Sequence, residues 1–320
     1  MSTSFVKRLL KLDVKLAPNP GTNQPNTFAE SGTDTVTIEG ARMSARVSNS
    51  GTPSGAQASV DIWGLTPSLM NQLSTLGLAF NLVAKNTLTI SAGDDVNGMT
   101  TVFAGTIMAA YADYNSMPSV PFKFECNAGV IDAVAPAVPA SFPGPVDVAT
   151  VMSGFARLLG YGFENNGVTT QLPPSYFSGN VRTQMQACAA AAGINAEVVN
   201  GNVLAIWPKG GSRTSVTLVP ILSKDSGMIG SPAFTQQGII VKTVFNPQIA
   251  FGGKVQVLST VLNGIQQAQQ AKNQTFKTPS NSIWAVYKLD HALDSLVPKG
   301  QWMSSVYGYN PNYPKPIPQA

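Results

Sequence analysis

The sequence predicts an α+β fold, mainly β, with two antiparallel β-barrel or sandwich domains and a small α/β module between them. Three observations carry that prediction. Apolar and polar residues alternate over residues 5–130 and again over 214–305, the period-2 signature of half-buried strands. Apolar residues at helical spacing are concentrated over residues 147–193. A proline-dense stretch, residues 133–145, separates the first alternating region from the helical one.

The first region, residues 1–132, reads as an all-β domain. Its opening stretch is both basic and apolar, but Leu10, Leu12, Val14 and Leu16 alternate with Lys11, Asp13 and Lys15, which is a strand with one buried face. Further strands are predicted over residues 35–39, 41–48, 57–63, 88–92, 101–113 and 121–127, with Gly, Pro, Asn and Ser between them. One helix interrupts this run. Thr66 can cap it, Pro67 suits its first position, Leu69, Met70, Leu73 and Leu76 share a face, and Gly77 can end it.

Pro136, Pro139, Pro143 and Pro145 forbid helix over residues 133–145 and leave an extended connector. The α/β module, residues 146–213, follows directly. Asp147 is a cap for a helix in which Val148, Val151, Met152, Phe155 and Leu159 recur on one face, with Gly160 as its stop. A second helix over residues 180–192 is closed by Gly193, and Asn200-Gly201-Asn202 joins a hairpin over residues 196–199 and 203–207. The third region, residues 214–306, returns to strands at 214–219, 238–245, 254–260, 282–290 and 302–307. Residues 263–275 are Gln-rich and fit either a helical extension or a loop. Residues 307–320, with Pro311, Pro314, Pro316 and Pro318, are extended, as a disordered tail or as an arm laid on a neighbour.

At 320 residues the chain has room for two or three domains, each with its own core. No run of about 18 apolar residues occurs, so neither a membrane span nor a signal peptide is expected, and the chain should be soluble and made in a cytoplasm. Charged residues are 11% of the chain, against roughly 25% in ordinary domains. A surface so poor in charge suits a subunit that spends its life packed against others. The net charge of +4 is too small and too dispersed for a nucleic-acid binder, and the Lys7, Arg8, Lys11 and Lys15 cluster reads as a solvated strand face.

Chemistry is sparse. His291 is the single histidine; Asp290 and Asp294 lie close in sequence, yet no Gly-x-Ser-x-Gly elbow or Cys-Gly context supplies a nucleophile. Asp94-Asp95 leads into Asn97-Gly98, a hairpin tip rather than an acid/base pair. Residues 208–213 look superficially like a phosphate cradle but lack the P-loop spacing and a following helix. Cys126 and Cys188 read as buried small hydrophobes, and no Cys or His spacing matches zinc. No catalytic, cofactor-binding or metal-binding residue is assigned, and an enzyme is not expected. Trp63, Phe103, Phe234, Phe245, Trp284 and Trp302 are expected in the core, or at interfaces where exposed.

Two groups of segments carry a family resemblance. The first is Val60-Asp61-Ile62-Trp63-Gly64-Leu65-Thr66 with its following helix, then Leu88-Thr89-Ile90-Ser91-Ala92-Gly93 and Val102-Phe103-Ala104-Gly105-Thr106-Ile107. The second runs from Ser226-Gly227-Met228-Ile229-Gly230-Ser231-Pro232-Ala233-Phe234-Thr235 through Gly238-Ile239-Ile240-Val241 and Phe245-Asn246-Pro247 to the stretch between Trp284 and Trp302. Together they resemble baseplate hub proteins of contractile phage tails, of the T4-like and Mu-like kind, over nearly the whole chain. The resemblance implies two tube-like β-domains per chain and a homotrimer that presents six similar units. It implies a structural adaptor between the six-fold tail tube and the three-fold central spike, touching neighbouring baseplate wedge proteins, with DNA passing through its bore without sequence-specific binding. It places the chain in the virion's tail baseplate after assembly in the bacterial host cytoplasm. Other readings compatible with the same residues are a distal tail protein, a secretion-needle spike base, or a cell-wall hydrolase or glycan-binding tail protein.

Overall fold

A computed structural model describes residues 6–18, 24–28, 31–51, 55–74, 86–129, 137–199, 201–235, 238–258 and 282–310. The fold is α+β and mainly β. The chain forms two compact units. The first comprises Met1–Ser48, Thr52–Ala135 and His291–Trp302, and the second comprises Asn49–Gly51, Pro136–Asp290 and Met303–Ala320.

The first unit is built from β1 (Arg8–Lys15), β2 (Thr35–Glu39), β3 (Arg42–Asn49), β4 (Gln57–Trp63), helix α1 (Pro67–Leu73), β5 (Thr87–Asp94), β6 (Gly98–Ala112) and β7 (Phe122–Asn127). The strands pair antiparallel in the order β3-β4-β7-β6-β5-β1-β2. Only Gly40 and Ala41 separate β2 from β3, so these two strands, at opposite ends of the order given, approach within roughly 11 Å at that corner, and β3 pairs on its other side with β19. The sheet must therefore curl back on itself, as barrels do. Its alternation is the predicted one. Leu12 faces Ile38 on one side and Ile90 on the other, and Val60 lies between Ala45 and Phe124, all of them buried. Bulges between Ile90 and Ser91 and between Ile107 and Ala109 bend the long β6 and increase its twist. Thr66 caps α1, accepting a hydrogen bond from the Leu69 amide, and the helix ends at Leu73 with Ser74 as its cap. The predicted stop at Gly77 lies outside the described residues.

In the second unit, helix α2 (Val148–Leu159) is capped by Asp147 and ended by Gly160 at φ 72°, and α3 (Val181–Ala192) is capped by Asn180 and ended by Gly193 at φ 63°. They pack with a small sheet of β10 (Gly162–Asn165), β14 (Val203–Pro208) and β13 (Ile194–Val199), in which β10 runs parallel to β14. Two short pairs, β8 (Ala140–Phe142) with β12 (Ser175–Phe177) and β9 (Val146–Asp147) with β11 (Gln171–Leu172), complete this part. The stretch read as a bare connector thus contributes a strand, and Phe142 packs on Phe177 with ring centroids 6.4 Å apart.

The rest of the second unit is a sheet of β15 (Ile221–Leu222), β16 (Met228–Thr235), β17 (Gly238–Val244), β18 (Lys254–Val257), β19 (Ser282–Ser295) and β20 (Trp302–Tyr309), in the order β16-β17-β20-β19-β18-β15. Its inward residues, among them Ile239, Val241, Val255, Trp284, Val286 and Val306, form one buried cluster. β19 and β20 run past the lengths predicted for them, and His291–Ser295 of β19 belong with the first unit.

Two expectations are corrected. No strand forms over residues 214–219, because the backbone at its start is taken up by distant parts of the chain rather than by a neighbouring strand: the Ser215 amide donates to Asn166 Oδ1 at 3.0 Å, and the preceding Arg213 amide to Gly252 O at 2.7 Å. Residues 307–309, read as the start of the tail, are strand. The Gln-rich segment 263–275 and residues 311–320 lie outside the described residues.

Gly308 is where β20 allows its neighbours to close. A β-carbon there would lie 2.7 Å from Trp284 Cβ and 2.9 Å from Ile239 Cγ2. Gly308→Ala should lower stability by about 1–3 kcal/mol through overpacking, read as a lower urea midpoint with unchanged slope. A midpoint equal to wild type would mean that the strand and the indole are not so closely packed.

Candidate interaction surfaces

The residues with the most chemical potential in the sequence are spent on structure. His291 is buried in β19. Asp290 lies 3.2 Å from Lys288 Nζ, and Asp294 is committed to partners of its own, so the two carboxylates closest to the imidazole in sequence are both engaged. At the β5–β6 hairpin, Asp94 accepts from the amides of Val96 and Asn97 and from Asn97 Nδ2, and Gly98 takes φ 83°, which is turn chemistry. In the 208–213 loop the Arg213 side chain is buried against Glu164 and is not offered to a phosphate. Both cysteines are buried; desolvation raises both thiols, that of Cys188 to about 12, so neither is a thiolate at neutral pH. Phe103, Phe245, Trp284 and Trp302 are buried, while Trp63 is half-buried beneath the Arg42 guanidinium, 4.3 Å from its ring centroid. The Phe234 side chain lies outside the described residues.

What the sequence did not reveal are two polar networks. In the first unit, Asp294 Oδ1 accepts from Ser44 Oγ and from Arg46 Nη1, each at 2.8 Å, and its Oδ2 from the Gln301 amide at 2.7 Å. Burial alone would raise the Asp294 pKa, but these donors outweigh it and hold the carboxyl below its ordinary value. In the second unit, Arg213 forks onto Glu164 through Nε at 2.9 Å and Nη2 at 2.8 Å, while its Nη1 donates to Phe251 O at 3.3 Å. Ser215 Oγ and Asn166 Nδ2 each donate to the same carboxylate at 2.7 Å. Hydrogen bonding from Arg213 is the main cause that drives the Glu164 pKa down to about 2. No run of residues announces either network, because the partners are separated by 248 positions in one and 49 in the other.

The outward sheet faces of the two units differ in kind. Across β3, β4 and β7 the rows read Ser44-Asp61-Lys123 and Arg46-Ser59-Glu125, a wet face with mixed charge. In the second unit the outward residues of β17 are Ile240, Lys242 and Val244, lying opposite Tyr307, Ser305 and Met303 of β20. Ile229 lies opposite Lys242 on the other side, and the Tyr287 ring sits 6.3 Å from Tyr307. Val244, Ile229 and Ile283 are more than two-fifths exposed. That face mixes exposed apolar and aromatic side chains with Lys242 and with Lys288, whose Nζ lies 4.8 Å over the Tyr307 ring, and its solvent-exposed apolar residues make it a candidate interaction site.

A second exposed apolar feature is the β6–β7 turn. Tyr114 and Met117 are 66% and 71% exposed, with Tyr111 nearby at 41%. The turn is held by Asp113, which accepts from Asn115 N and Ser116 Oγ at 3.1 Å, meets Lys123 Nζ at 2.9 Å and donates its own amide to Pro121 O. Residues 114–119 carry no charge. The sequence signal was present, an Asp followed by an uncharged turn between two strands, but exposure is a tertiary property.

Comparison with known proteins follows the same lines. The family model described as "Baseplate hub gp41" matches residues 26–268. A tail protein from Neisseria meningitidis MC58 superposes with a TM-score of 0.58 at 8% identity, covering 94% of this chain and 97% of its own. The 43 kDa tail protein of prophage MuSo2 from Shewanella oneidensis gives 0.57 at 9% identity, covering 94% and 99%. At such identities these two show a shared fold. No curated protein sequence matches the chain. Among the described residues no helix is long and apolar enough to cross a membrane.

Two carboxyls should give opposite pH signatures. The folded pKa of Glu164 falls from 4.5 to about 2, so its stabilisation is complete above pH 4.5 and is lost as pH drops towards 2. Glu164→Gln, which leaves Arg213 buried without its counter-ion, should cost about 3 kcal/mol at neutral pH, with the gap to wild type closing in acid. Burial in β13 raises Glu197 from 4.5 to about 7, only partly offset by Arg182, so its contribution is lost as pH rises through that window. Glu197→Gln should therefore stabilise the protein by about 1 kcal/mol at pH 8 and be neutral at pH 4. Urea titrations across pH read both; equal shifts at every pH would contradict these environments.

Proposed function

Because the chain belongs to the baseplate hub gp41 family, a structural component of the phage tail baseplate, we propose that it is the non-enzymatic hub of a contractile tail. Three copies form a ring that joins the six-fold tail tube to the three-fold central spike, contacts the surrounding wedge proteins and leaves a bore for the DNA. The ring assembles in the host cytoplasm and remains in the virion. The family match over residues 26–268 is the observation that carries this reading. Physical support comes from the low charge and from the apolar outward face of the second unit, because a surface of that kind gains by being covered. The engagement of Asp290 and Asp294 by partners of their own favours a scaffold over a hydrolase.

Light scattering on the purified chain, alone and with its spike and tube proteins, is expected to give three chains per particle in the assembled state. Peptidoglycan turnover is expected to be nil, with His291→Ala changing nothing. A chain that remains monomeric beside both partners, or that cleaves cell-wall glycan in a His291-dependent way, would overturn the proposal.

A further inference from the structure

We infer that this ring closes head to tail, the Tyr114–Met117 tip of one copy seating on the outward apolar face of the second unit of the next copy. The inference rests on the self-assembly just proposed and adds which surfaces make the contact.

Two large apolar side chains on an uncharged turn are costly to solvate and gain by burial. Asp113 has already fixed their turn, so docking it loses little conformational entropy, the condition under which a small knob becomes an anchor. Lipid headgroups and nucleic acid are poor occupants for the knob, because residues 114–119 offer no cation. The knob needs an apolar seat. The first unit's own outward face, with Arg46, Asp61, Lys123 and Glu125, does not provide one. The second unit's face does, through Ile229, Val244 and Met303.

Charge at the rims agrees. Glu125, on β7 two residues past Lys123, accepts from Tyr111 Oη at 3.5 Å, and no cation is within ion-pair distance of it among the described residues. On the face, Lys242 and Lys254 are exposed, and among the described residues no carboxylate pairs with them. A carboxylate without a cation on the strand that leaves the knob and ammonium groups without a carboxylate on the seat are complementary. Because knob and seat are different surfaces, the contact is heterologous, and such contacts close into rings when the rotation permits.

Three proteins test this by sedimentation equilibrium: wild type, a knob variant (Tyr114→Ser with Met117→Ser) and a seat variant (Val244→Asp with Ile229→Asp). All four positions are solvent-exposed, and melting curves confirm that each variant is folded. Each variant alone is expected to associate at least about 100-fold more weakly than wild type. Mixed one to one, they retain a single good knob and a single good seat, and should give an open dimer that stops there. A wild-type oligomer matched by both variants, or folded variants whose mixture stays monomeric, overturns the head-to-tail contact and leaves the ring standing. A wild type that stays monomeric even beside its spike and tube proteins overturns the ring reading, and this contact with it.

Discussion

The carboxylate of Asp294 fixes where the end of the chain meets its beginning. It gathers Ser44 and Arg46 of β3 with the Gln301 amide, and Ser295 Oγ adds a bond to Arg8 O at 3.3 Å. The first unit is therefore incomplete until residues 291–302 have been made, although almost all its strands come from the first 130 residues. Contacts of such sequence separation are entropically expensive to form and slow the final folding step. The Arg46 side chain is partly in solvent while Asp294 is nearly enclosed, so loss of the arginine would leave a buried charge with one fewer donor.

This constraint also explains what could and could not be read in the sequence. The strands of the first unit were legible almost residue by residue, because one side of each faces a core and the other faces water, as in Leu10-Lys11-Leu12-Asp13-Val14. Both helices of the second unit were legible from end to end, because Asp147 and Asn180 satisfy free amides and Gly160 and Gly193 accept the left-handed turn. The division of the chain was different. Segmentation by composition keeps residues 214–306 together, whereas a single unbroken strand, β19, begins in one unit and ends in the other. Nothing in Leu289-Asp290-His291 marks that passage. The absent strand over residues 214–219 failed for a related reason: Arg213 and Ser215 look like neighbours of a strand, but their partners, Glu164 and Asn166, lie about fifty positions earlier.

The surfaces were legible only in their average. A chain with 11% charged residues must present much neutral area, but composition does not say where. The register says it. Pairing of β3, β4 and β7 collects the charges of the first unit on one outward face, whereas pairing of β17 with β20 lines up Ile240 with Tyr307 and Val244 with Met303. A one-residue slip in either sheet would exchange core and surface.

Three of the six ion pairs among the described residues join parts of the chain rather than decorate it. Asp294 with Arg46 holds the chain's return, Glu164 with Arg213 holds the small sheet to the segment that follows it, and Asp113 with Lys123 holds the protruding turn. Glu197 is the exception, a carboxyl in β13 whose burial weakens the fold at neutral pH. With charged residues at 11% of the chain, the exterior leaves much of its area to apolar contact, and the charges outside these pairs are dispersed over it. For a free monomer that is a liability to aggregation. For a subunit whose knob and seat are both covered by its own copies, the same exterior favours assembly, with the leftover charges setting the direction in which one copy meets the next.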